Sequence, residues 1–75
     1  MTVKELEVKF SDGGVTDTYY TKGQALYKGL YDEPENVAIV QNNTGIVSAI
    51  IEDCFKTDST KEVVSIKFTN GEILM

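Results

Sequence analysis

Hydrophobic and polar residues alternate one for one near both ends of the chain, and this period of two constrains the fold more than any other feature. Leu6, Val8 and Phe10 fall on one side of an extended backbone, while Glu5, Glu7 and Lys9 fall on the other. Val64, Ile66 and Phe68 alternate with Ser65 and Lys67 in the same way. Successive side chains of a strand point to opposite faces, so each pattern predicts a strand with one buried face. A reversal signal comes after each: Ser11-Asp12-Gly13-Gly14 after the first, Thr69-Asn70-Gly71 after the second. Asn-Gly between alternating runs is the strongest short-range hairpin signal there is. The segments VKFSDGGV (8–15) and IKFTNGEI (66–73) therefore read as one hairpin solution used twice, although eight residues are too few to establish a duplication.

The middle of the chain is less explicit. Residues 15–21 (VTDTYYT) are β-branched and aromatic and suit a returning strand. Residues 21–32 (TKGQALYKGLYD) fit two readings. Thr21 with Gln24 has the form of a helix capping box, and Leu26, Tyr27, Leu30 and Tyr31 fall at helical spacing. Gly23 and Gly29 oppose a helix by roughly 1 kcal/mol each, which favours a strand. The stretch QNNTGIVSAII (41–51) reads as a hairpin, with NNTG as its turn and β-branched Ile46, Val47, Ile50 and Ile51 returning. A helix starting at Thr44 would instead gather Ile46, Ile50, Cys54 and Phe55 on one side; residues 52–55 could close with a single helical turn. The expectation is one domain over residues 1–75 that is mainly β. It is a small Src-homology-3-like barrel built from antiparallel hairpins with at most one short helix, the alternative being an α+β domain with a helix at 21–32.

Composition removes several kinds of chemistry. The chain carries twelve acidic residues against seven lysines, with no histidine and no arginine, for a net charge of −5. Without histidine there is no imidazole base or imidazole metal ligand. Without arginine the usual reader of guanine edges and clamp of phosphates is missing, so direct nucleic-acid binding is not expected. Cys54 is the single cysteine and is read as a small core filler, since Glu52 and Asp53 beside it disfavour a thiolate. Asn42-Asn43-Thr44 matches a glycosylation acceptor, but the alternating N-terminus is no signal peptide, so the expected location is the cytoplasm. No apolar run approaches the ~20 residues of a membrane span.

Residues 8–53 resemble a type of small phage and prophage protein of low-GC Gram-positive bacteria. The matching pieces are VKFSDGG, TDTYYT, LYKGLY, NVAIV and NTGIVSAII. The resemblance implies a small Src-homology-3-like barrel and brings no assigned activity. Gly29-Leu30-Tyr31-Asp32-Glu33 is also similar to the ALYDY signature of signalling domains that bind proline-rich peptides. Those domains use a groove of tyrosines and a tryptophan. This chain has no tryptophan, and its one proline, Pro34, lies in the acidic loop.

The residue types point to recognition rather than catalysis. The acidic clusters 32–35 and 52–58 lack the spacing of a calcium loop and read as solvated surface, so no metal or cofactor is expected. A carboxylate pair for acid–base chemistry needs a cleft that a barrel of this size has little room to form, so no enzyme and no catalytic residue is expected. Tyrosine is enriched at interfaces, and Tyr20, Tyr27 and Tyr31 with Asp32, Glu33 and Glu35 are the candidate binding residues. Tyr19 and Tyr20 must face opposite sides of a strand. The expected function is a phage- or prophage-encoded protein-interaction module with a protein partner, its edge strands also permitting a homodimer. Two alternatives stand beside it: an acidic inhibitor whose carboxylates mimic nucleic acid, and a single-strand nucleic-acid binder with its lysines gathered on one surface.

Overall fold

The computed structural model describes residues 2–75, and of Asp17 the backbone. Five strands and one helix run along the chain as β1 (Val3–Phe10), β2 (Val15–Lys22), β3 (Ala25–Lys28), β4 (Glu35–Ile39), α1 (Asn43–Thr57) and β5 (Val63–Phe68). All strand pairs are antiparallel, in the order β4-β3-β2-β1-β5. The mainly β expectation with a single helix is met. The closed barrel is not, because β4 and β5 lie at opposite margins of an open sheet and never pair. Between them α1 crosses one face of the sheet, giving two layers around one core.

The two terminal signals produce hairpin turns that match bond for bond. In the first, the Phe10 amide donates to the Gly14 carbonyl (2.8 Å) and the Gly13 amide to the Phe10 carbonyl (3.0 Å). In the second, the Phe68 amide donates to Glu72 (2.8 Å) and Gly71 to Phe68 (3.0 Å). Asp12 Oδ1 accepts from the Gly14 amide, as Asn70 Oδ1 accepts from the Glu72 amide. Gly13 and Gly71 hold φ of 90° and 105°, a region L side chains rarely adopt. The returning segments differ. After Gly14 the chain forms the full strand β2, whereas after Gly71 it makes one bridge, Ile73 to Lys67, and then bonds Leu74 and Met75 to Ile66.

The helix is a correction. Residues 43–57 form α1, where the sequence reading prefers a hairpin to a helix starting at Thr44. Asn42 is its N-cap, with Oδ1 accepting from the Gly45 amide at 2.8 Å, so the polar residues read as turn chemistry start a helix instead. Ile46, Ile50 and Cys54, one turn apart, are the buried stripe and pack on Leu6, Val8, Tyr19, Leu26, Ile66 and Phe68. β-Branched residues lose only a few tenths of a kcal/mol each in a helix, up to ~0.7. Burying one isoleucine returns about 1.5–3 kcal/mol, so packing overrides propensity here.

Residues 21–32 are strand, turn and loop rather than helix. Thr21 and Lys22 end β2, Gly23 (φ 63°) and Gln24 turn the chain, and Ala25–Lys28 is β3. A one-residue bulge between the Leu26–Ala38 and Tyr27–Asn36 pairs lets Val37 join the core beside Ala38. No helix among the described residues is long and apolar enough to cross a membrane.

Candidate interaction surface

The strand registers assemble a row of side chains on the sheet face away from α1. Glu5 of β1 lies opposite Tyr20 of β2, Tyr20 opposite Tyr27 of β3, and Tyr27 opposite Asn36 of β4. Directly opposed residues on one face bring their side chains into contact range. The Tyr20 and Tyr27 rings accordingly stack, with centroids 5.6 Å apart and planes at 20°.

The β3–β4 loop completes the surface. Gly29, at φ 92°, bonds its amide to the Thr18 carbonyl (3.0 Å) and redirects the chain. The Glu33 amide closes a turn on the Leu30 carbonyl (3.1 Å), and Tyr31 returns over the sheet. Its ring meets Tyr20 edge to face, with centroids 4.6 Å apart. Edge-to-face and offset stacking are the favoured aromatic geometries. Tyr20 is 5% exposed beneath its two neighbours, whereas Tyr31 is 59% and Leu30 69% exposed. A recess of about 390 Å³ lies here, lined by Glu5, Thr18, Tyr20, Gly29, Leu30 and Tyr31. Desolvation and the nearby Glu5 carboxylate raise the pKa of the Tyr31 phenol, which therefore stays neutral at physiological pH.

Of the residues picked from sequence, the structure unites Tyr20, Tyr27 and Tyr31. Asp32 and Glu33 sit exposed in the loop that carries Tyr31. Glu35 belongs elsewhere: it pairs with Lys28 at 3.2 Å in the register that faces the helix side. Glu5 was missed. Nothing in its own neighbourhood marks it, and only the β1–β2 register sets it opposite Tyr20.

A second polar cluster lies under the far end of α1. The Tyr19 hydroxyl donates to Asp53 Oδ2 (2.6 Å), and Lys28 Nζ donates to both Asp53 oxygens (2.9 and 3.2 Å). Tyr19 OH also lies 3.4 Å from Cys54 Sγ. Burial raises the Tyr19 pKa, and the hydrogen bond to Asp53 raises it further. The hydrogen bond to Asp53 likewise raises Lys28, against desolvation. Burial works to raise Asp53, but its bonds from Tyr19 and Lys28 prevail and hold it below the ordinary carboxylate value. Phenol and ammonium are thus fixed as donors and carboxylate as acceptor, an arrangement that ties β2, β3 and α1 together and leaves neither Tyr19 nor Lys28 as a ready nucleophile. The adjoining cleft, about 430 Å³, also contains Lys61, which lies 5.0 Å above the Phe10 ring.

Charge is interleaved over the surface. Glu7 pairs with Lys67, Asp12 with Lys61, Glu52 with Lys56, and Asp53 and Glu35 with Lys28. Among the described residues no group of three or more His, Cys, Asp or Glu side chains is arranged to hold a metal ion. Comparison with protein-family models, with curated proteins and with solved structures finds no match to this chain.

Proposed function

We propose that this protein is a small protein-interaction module whose contact surface is the open sheet face around Tyr20, Tyr27 and Tyr31. One observation carries the reading: the β3–β4 loop folds back to set the exposed Tyr31 against Tyr20, itself stacked on Tyr27, on the face that the core does not need. Ordered aromatic side chains present large contact area with little further entropy to lose on binding. The resemblance to phage and prophage proteins supports a phage- or prophage-encoded module acting in the bacterial cytoplasm. Nucleic-acid mimicry would need carboxylates gathered on one face, and direct strand binding would need gathered lysines. The interleaved ion pairs favour neither.

The test is affinity capture from bacterial lysate, with and without nuclease treatment, with the full chain as bait, alongside a Tyr27→Ala/Tyr31→Ala double variant of native circular dichroism. A protein retained stoichiometrically by the parent chain and lost by the variant is the expected result. A catch unaffected by the double variant would remove the surface from consideration. A catch that disappears on nuclease treatment would replace the module with a nucleic-acid binder.

A further inference from the structure

The recess beside Tyr31 combines two features that select one kind of guest. Its wall is the exposed ring of Tyr31 braced on the nearly buried Tyr20, and its rim carries the exposed side chain of Glu5. Aromatic faces attract cations, and a carboxylate at the same place adds charge and hydrogen-bond acceptors. Elsewhere the chain supplies its own cations to aromatic rings: Lys4 lies 5.6 Å over Phe68 and Lys61 lies 5.0 Å over Phe10. Among the described residues no lysine does this for Tyr20, Tyr27 or Tyr31. Glu7, on the same face of β1, already pairs with Lys67 at 3.7 Å, whereas Lys22 lies two residues along β2 from Tyr20, opposite Val3 and Ala25. Asp32 and Glu33 add negative charge in the loop that holds Tyr31.

We infer that the Glu5–Tyr20–Tyr31 recess receives an arginine side chain from a basic segment of the partner protein. The inference rests on the interaction-module reading and names the chemistry of its partner. A guanidinium is planar and weakly hydrated, stacks on an aromatic ring and meets a carboxylate through two parallel hydrogen bonds. A lysine ammonium offers only the point charge. The chain has no arginine of its own, so a second copy cannot provide this guest.

The experiment is a ¹⁵N-resolved NMR titration of the full chain with a blocked five-residue peptide carrying one arginine between glycines. The same peptide with lysine, and with neutral citrulline, gives the comparison. The arginine peptide is expected to shift the amide signals of Glu5, Tyr20, Leu30 and Tyr31 and to bind about fivefold tighter than the lysine peptide. Citrulline should cause no shift. Glu5→Gln should weaken binding by about tenfold, while Glu7→Gln changes it by less than about twofold. Equal losses for the two glutamates, or equal affinity for arginine and lysine, would reduce the effect to general attraction by an acidic chain and overturn the inference. So would a captured partner that is lost with the tyrosine double variant yet held by Glu5→Gln and undisturbed by excess arginine peptide. That outcome leaves the module standing and removes its guest, whereas a catch indifferent to the tyrosines removes both.

Discussion

The two faces of this sheet are built from alternate residues of the same strands, yet they do different work. On the covered face Leu6, Val8, Leu26 and Ile66 are completely buried against Ile46, Ile50 and Cys54. On the open face Tyr20 is equally shielded, but by Tyr27 and by a loop residue that is itself exposed. The first face is closed by a helix that buries its stripe once and for all. The second is closed by a lid of tyrosines whose outer surfaces remain available. Burial alone therefore does not distinguish core from contact surface in a domain this small; the element lying on top does.

The largest perturbation should come from the covered face. Ile50 is 0% exposed, and Ile50→Ala should destabilise by about 2–5 kcal/mol, comparable to the whole stability of many small domains. A urea titration should show the midpoint collapsing, and a loss under about 1 kcal/mol would mean that α1 is not seated on the sheet through this stripe. Asp53→Asn comes next, at about 1.5–3 kcal/mol, because it takes the charged acceptor away from both Lys28 and Tyr19 and leaves Lys28 only the more exposed Glu35. The sign with pH is set by the depressed Asp53 value. Its contribution is complete above the ordinary carboxylate value of about 3.9 and is lost as pH falls through the lower folded one. Stability curves of the parent chain and the variant should converge in strong acid. Raised Lys28 and Tyr19 act in the other direction, losing their contributions only as pH climbs past about 10.

The open face should respond more gently. Gly29→Ala forces a side chain into φ 92° and should lose about 1–2 kcal/mol, even though an added Cβ would meet nothing closer than the Glu33 carbonyl at 3.8 Å. The same variant should weaken partner capture, since Gly29 aims the loop that delivers Tyr31. Tyr31→Ala should be the mildest in denaturation, about 0.5–1 kcal/mol, because it removes one edge-to-face contact from an exposed ring. Its binding defect should nonetheless match that of the double variant. If Tyr31→Ala unfolds the chain as readily as Ile50→Ala, the contrast between the two faces disappears.

The sequence announced the parts governed by local chemistry. Period-two runs located β1 and β5, and both glycine turns could be read to the residue. That Tyr19 and Tyr20 part company across β2 is a matter of strand geometry alone. The helix was hidden because Ile46, Val47, Ile50 and Ile51 favour strand locally, and Asn42 serves equally as turn residue or N-cap. The missing signal was a global one: an open sheet with one apolar face requires a second layer, and the i, i+4, i+8 spacing of Ile46, Ile50 and Cys54 was the stripe able to supply it. The tyrosine set was legible as residue types. Its geometry, and the presence of Glu5 within it, depended on registers and on a loop path that no single segment encodes.

The short bonded tail after Gly71 has a bearing on how copies of this protein can meet. Sheets grow edge to edge, and a molecule with two open margins can add neighbours without end, as fibres do. Here residues 72–75 already occupy the outer carbonyl and amide of Ile66 and the amide of Phe68, so one margin is spoken for. Among the described residues, β4 is the margin with no segment bonded alongside it. Any pairing of copies through β4 would therefore close at two rather than run on.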